Sequence, residues 1–223
     1  MDIEGVNAGG SPERRTYRSP GRERRAQETR ARIVSAAESL FLADGYGATT
    51  VGAVARRAGV AEQTVYLVFK NKPALLDAVI DTAIGGPTGA TWRRQLETAL
   101  TQPPEQLLRA LAGATAGLMK RTARILAVAE AAALTDPELA KARERGHTAM
   151  RAQFERVASA LHERGTLAGP ISDRDTTATI YALTSDAIFL RLTEGYGWNA
   201  RRYGKWLGDI LVATLLEPRY QDR

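Results

Sequence analysis

The sequence predicts an all-α fold of about nine helices. Three observations carry that prediction. Apolar residues recur at helical spacing: Ile33, Ala37, Leu40 and Phe41 fall at i, i+4, i+7 and i+8, one face of a 3.6-residue repeat. Nowhere does the alternating apolar–polar pattern of a half-buried strand appear. Helix start and stop signals punctuate the chain, among them Asn71 ahead of Pro73, Asp136 ahead of Pro137, and glycines at 45, 59, 165 and 195. At 223 residues, the chain is long enough for one or two domains with a sizeable core.

Residues 1–27 show no helical or strand period and are rich in Gly, Ser, Pro and Arg, so they read as a flexible basic tail. Arg14, Arg15, Arg18, Arg22, Arg24 and Arg25 cluster there. They suit an arm laid on phosphates or in a minor groove, or else a solvated leader. The formal charge of +6 favours an anionic partner. Residues 28–84 form the next unit. Its first helix ends at Gly45.

That unit is organised around Thr49–Lys72, TTVGAVARRAGVAEQTVYLVFKNK. It reads as two short helices joined by a tight turn at Ala58-Gly59-Val60, a helix-turn-helix. Val54 and the small Ala55 face inward, Gly59 reverses the chain with positive φ, and Val65 and Phe69 form the apolar stripe of the second helix. Glu62, Gln63, Thr64, Tyr66 and Leu67 then face outward, where a helix entering a major groove meets base edges and phosphates. One of Thr49 and Thr50 caps the first helix, leaving the other for a phosphate. Glu62, Gln63 and Leu67 are the candidates for base readout: Glu accepts from cytosine N4, Gln pairs with adenine, and Leu packs on a thymine methyl. Thr64 is a candidate phosphate or base contact. Arg56 and Arg57 either flank the DNA backbone or form a solvated face. Gly52 weakens the first helix by about 1 kcal/mol relative to Ala, and Ala61 offers the second no capping side chain. Asn71 caps a further helix with Pro73 in its first turn.

From Arg30 to Val79 the order and spacing of these features resemble the DNA-binding domain of the TetR family of transcriptional repressors. The match includes a helix ending in Gly-Tyr, a Thr-Thr pair, Ala-Gly-Val at the turn, Thr-Val-Tyr on the second helix, and Phe-Lys-Asn-Lys leading into a Leu-Leu helix. The resemblance implies that Tyr66 touches the phosphate backbone and that Lys72 adds a phosphate charge contact.

Residues 85–223 read as a second helical domain beyond a turn at Gly85–Gly89. Helices are expected from Pro103 to a break near Arg121-Thr122, over an apolar stretch Ile125–Leu134, and from Asp136 to about Arg164. Two more are expected from Ser172 to Gly195 and from Trp198 or Asn199 onward. The resemblance implies that this domain binds a ligand and dimerises. The last two helices would pair with their twins, and Ile180, Leu183, Ala187, Trp206, Ile210 and Leu211 are the candidate dimer contacts. A two-fold homodimer would match a palindromic operator in double-stranded DNA. A small-molecule effector of unknown identity would bind among Trp92, Met119, Met150, Phe154 and Tyr181. The shortage of charge from Ile125 to Leu134 favours an apolar one.

Catalysis is not expected. The two histidines, His147 and His162, lie on a charged helix face without metal-ligand spacing or a nucleophile nearby, and no Gly-rich phosphate loop follows a strand. No cysteine is present, which removes thiolate metal sites and disulfides. No metal or cofactor is expected. The absence of a spanning apolar run and of an apolar leader points to a cytoplasmic protein. The alternative reading is a helical scaffold that has the motif without sequence-specific DNA recognition.

Overall fold

The computed structural model describes residues 20–86 and 89–218. Arg14, Arg15 and Arg18 lie outside them. The helices are α1 Pro20–Ala48, α2 Val51–Ala58, α3 Glu62–Phe69, α4 Lys72–Ala83, α5 Ala90–Leu100, α6 Pro104–Ala133, α7 Pro137–Glu163, α8 Asp173–Leu183, α9 Asp186–Leu190 and α10 Ala200–Leu215. A π-helical turn, Arg191–Gly195, extends α9. Among the described residues, strand-like pairing is limited to one isolated bridge, Leu167–Leu216.

Two apolar cores form. The first gathers Ile33, Ala37 and Phe41 of α1, Val54 and Ala55 of α2, Val65 and Phe69 of α3, and Leu75, Leu76 and Val79 of α4. The second joins α5, α6, α7, α8, α9 and α10 around Leu96, Leu107, Leu111, Phe154, Leu161, Ile180, Tyr203 and Leu211. The chain does not divide between them at residue 85. Ile125, Ala132 and Ala133 of α6 and Leu139 of α7 belong to the first core. Ile125, Ala132 and Ala133 therefore pack in the joint between domains, while Leu126 packs on the second core and Leu134 is exposed, so the stretch as a whole gives no reason to expect an apolar effector.

Three expectations about the elements need correction. Residues 20–27 are helical where a tail was expected, because α1 begins at Pro20 and carries Arg22, Arg24 and Arg25 as helical residues. Proline suits a first helical position, and the Arg, Glu, Ala and Gln that follow are good helix formers. No break occurs at Arg121-Thr122. The Thr122 hydroxyl donates to the Leu118 carbonyl at 3.0 Å and Arg121 Nη1 to the Gly117 carbonyl at 2.7 Å, so both polar side chains are satisfied within a continuous α6. The helix expected from Ser172 to Gly195 does break. Thr184 Oγ1 bonds the Ile180 carbonyl at 2.8 Å, and Ser185 accepts from the Ile188 N–H at 3.4 Å to start α9. Short hydroxyl side chains compete here with the helical backbone.

Candidate nucleic-acid interface

Local chemistry sets the geometry of α2 and α3. The Thr50 hydroxyl accepts from the Ala53 N–H at 3.1 Å and caps α2. Gly59 follows the helix at φ 65, ψ 43, a conformation that costs glycine little. The Val60 N–H then reaches back to the Ala55 carbonyl at 3.0 Å. Helix α3 starts at Ala61 with no side-chain cap. It buries Val65 and Phe69 and leaves Gln63, Tyr66 and Leu67 exposed, Tyr66 by 47% and Leu67 by 79%. Thr64 is half-buried, while Arg56 and Arg57 are exposed on α2.

Of the threonine pair, Thr50 is the cap and Thr49 is not free for a phosphate. Thr49 is buried, and its hydroxyl donates to the Gly45 carbonyl at 2.8 Å. Glu62 bends back toward α2. A Cβ built on Gly52 would lie 3.0 Å from Glu62 Oε2, so Gly52 makes room for that carboxylate, at a cost in helix propensity. Glu62 nonetheless stays exposed at the start of α3.

Lys72 is also turned inward. Its Nζ lies 4.1 Å from the centre of the Tyr46 ring and 3.4 Å from the Gly47 carbonyl oxygen. Burial holds its pKa below the usual lysine value, with Asp136 opposing that shift. The Tyr46 hydroxyl donates to Asp136 Oδ2 at 3.4 Å, and burial followed by Asp136 pushes the phenol's pKa up. Sequence reasoning noted Tyr46 only as part of a helix end. Its partner is 90 residues away, and no local pattern signals such a pairing.

A second feature escaped the sequence. Lys70, between α3 and α4, adopts φ 63, ψ −50, and the Asn71 N–H donates to the Phe69 carbonyl at 2.6 Å. This is a γ-turn of the positive-φ form, rare and strained for a side-chain-bearing residue. The Arg30 guanidinium stacks 4.6 Å from the Phe69 ring centre.

In the second domain the five effector candidates share one core. Trp92, Met119 and Phe154 are buried, with Met150 and Tyr181 packed against them. Trp92 and Phe154 meet edge to face at 6.2 Å, Phe154 and Tyr181 at 6.4 Å, and Tyr181 and His147 at 6.0 Å. An open groove of about 540 Å³ lies elsewhere, between α6 and α10, lined by Arg109, Gly113, Gly117, Gly204 and Gly208 among others. Of the dimer candidates, Ile180 and Leu211 are fully buried within the protomer and have no surface to offer a partner. Leu183, Trp206 and Ile210 are half-buried and Ala187 is exposed.

Residues 33–79 match the family model described as bacterial regulatory proteins, tetR family. The HTH-type transcriptional regulator TtgR of Pseudomonas putida is 44% identical over 57 residues, 26% of this chain and 27% of its own. The uncharacterized regulator YvkB of Bacillus subtilis is 42% identical over 52 residues, 23% and 28% of the two chains. The chain thus aligns with about a quarter of the length of these curated relatives. Similarity of fold extends much further. NalD, described as the secondary repressor of the MexAB-OprM multidrug efflux pump in Pseudomonas aeruginosa, superposes with a TM-score of 0.69 at 23% identity. That match covers 87% of this chain and 99% of NalD. A SmeT–triclosan complex gives 0.68 at 19% identity over 86% and 93%; SmeT is described as the repressor of the Stenotrophomonas maltophilia efflux pump SmeDEF. With their helix-turn-helix geometry and the family match, residues 33–79 are a TetR-family DNA-binding domain, set in a chain that shares the fold of those solved structures.

Proposed function

We propose that the protein is a homodimeric, sequence-specific repressor that reads a palindromic DNA site through α3 and leaves it when a small apolar effector binds the second domain. The exposed face of α3 carries this reading. A short helix that buries only Val65 and Phe69 displays Leu67 at 79% exposure beside Tyr66 and Gln63. Water disfavours such an apolar side chain, whereas a thymine methyl accommodates it. The amino-terminal part of α1 supports the reading. Ahead of Ile33 it is a rod about 20 Å long carrying Arg22, Arg24, Arg25, Arg30 and Arg32, all exposed, which suits phosphates in place of a flexible arm.

Dimerisation rests on Leu183, Ala187, Trp206 and Ile210, which remain accessible along α8, α9 and α10. One recognition helix supplies too few contacts for specificity among genomic competitors. A two-fold pair spaced about 34 Å apart doubles them. The effector reading rests on the row Trp92–Phe154–Tyr181, whose rings an apolar molecule would displace or stack upon. Repression is the function named for NalD and SmeT.

Selection of bound sites from random duplex DNA tests the proposal. An inverted repeat is the expected result. Salt-sensitive binding with no enriched sequence would overturn it in favour of a helical interaction protein.

A further inference from the structure

The joint between the two domains is built from two helix caps, each used at both ends. Asp136 caps α7: its Oδ1 accepts from the Glu138 N–H at 2.9 Å and from the Leu139 N–H at 3.2 Å. Its other oxygen accepts from the Tyr46 hydroxyl. Asn71 caps α4: its Oδ1 accepts from the Ala74 N–H at 2.8 Å. Its Nδ2 donates to the Glu138 carboxylate at 3.3 and 3.4 Å. The first turn of α7 is thereby tied to both the helix end preceding α2 and the helix start following α3. The Lys72 ammonium, stacked on Tyr46, completes the set.

We propose that these contacts form a latch through which occupancy of the DNA site and the position of α7 are coupled. The proposal rests on the reading of α2–α4 as a DNA interface. Lys72 and the Tyr46 hydroxyl are the groups a phosphate competes for, since an anion attracts both an ammonium and a phenolic O–H. When a phosphate draws Lys72 off the Tyr46 ring, the ring whose hydroxyl donates to Asp136 loses its stacked cation, and Tyr46 is free to turn. The cap on α7 then loosens. Helix α7 carries Met150 and Phe154 into the second core, so a change at its first turn has a mechanical route to the effector region. Coupling of this kind acts in both directions: whatever moves α7 alters the DNA interface by the same factor. The Lys70 γ-turn adds a strained hinge between α3 and the latch.

Hydrogen exchange on the full chain tests the latch, with and without a duplex selected by the wild-type protein from random-sequence DNA. The amides of Glu138, Leu139 and Ala140 are all held by Asp136 and report directly on the cap. On duplex binding their exchange should rise by about fivefold or more, the lower end of typical coupling between sites. In the Tyr46→Phe/Asn71→Ser double variant, which keeps the ring and the α4 cap, the rise should vanish. Glu138→Ala, made from the other side of the joint, should reduce it. A wild-type protein that binds its selected duplex with no change at these amides overturns the latch, as does a variant that binds with the full change. A wild-type protein that selects no sequence overturns the DNA reading itself, a separate and recognisable failure.

Discussion

A Cβ placed on Gly204 would lie 3.0 Å from the Cβ of Ala116. This pair sets how closely α10 crosses α6, with Gly208 over Ala112 one turn on, at 3.6 Å. Gly204→Val should destabilise the fold by about 1–3 kcal/mol through overpacking. Gly113 lies on the same stretch of α6, but a Cβ there meets nothing within 4 Å. Gly113→Ala should stabilise by about 0.5–1 kcal/mol from helix propensity. Thermal melts of the two variants should therefore move in opposite directions.

The two adjacent threonines should separate just as cleanly. Thr50→Ala removes the α2 cap and should cost about 1 kcal/mol, with Thr50→Ser recovering most of it. Thr49→Val removes a buried hydroxyl bonded to the Gly45 carbonyl and should lower stability by a similar amount. The affinity of DNA binding should be unchanged in Thr49→Val. An equal loss of affinity for the selected and a scrambled duplex would return Thr49 to the phosphate contacts.

On α3 the prediction concerns specificity. Gln63→Ala should weaken binding to the selected site by about 1–3 kcal/mol and relax preference at one base position. Tyr66→Phe should weaken binding to all sequences alike, because a phosphate contact carries no sequence information. Binding titrations against the selected and a scrambled duplex distinguish the two patterns.

Lys70 is the one described non-glycine residue with positive φ. Lys70→Gly relieves strain at that position and should raise stability by about 1 kcal/mol, after allowing for the greater freedom of glycine in the unfolded chain. A melting temperature at or below that of the wild type would show that the turn holds no strain.

Asp186, at the start of α9, has its carboxyl pKa pushed up, chiefly by burial. An acid whose folded value exceeds its unfolded one weakens the fold increasingly as pH rises from the unfolded value, and fully once pH is above the folded value. The penalty fades as pH falls toward the ordinary aspartate value of about 4. Asp186→Asn should therefore raise the melting temperature at neutral pH and lose that advantage near pH 4. Melts across that range check both the sign and the window.

Much of the first domain was legible because its determinants are local. The Gly59 turn, the stripe of Val65 and Phe69, the Asn71 cap and the non-helical kink at Gly45 (φ 80, ψ 165) near the end of α1 each depend on residues within a turn or two. Periodicity and cap chemistry report such neighbours directly. Where reading failed, a distant partner decided the outcome. Thr49 and Thr50 look equivalent in sequence, and packing against α1 buries one of them. Ile180 and Leu211 have the apolar character of an interface, yet the protomer's own core uses them. Ile125, Ala132 and Ala133 resemble part of the second domain and serve the first.

By itself, then, the sequence determined that the chain is helical, where most helices begin and end, and which face of α3 is left outward. These follow from 3.6-residue periodicity and the demands of helix ends. Tertiary structure alone decided that Lys72 folds onto Tyr46, that Tyr46 reaches Asp136, and that Asn71 reaches Glu138. Each of these side chains has a sufficient local reason for its residue type, and the longer-range partner appears only when α7 is laid against the first domain.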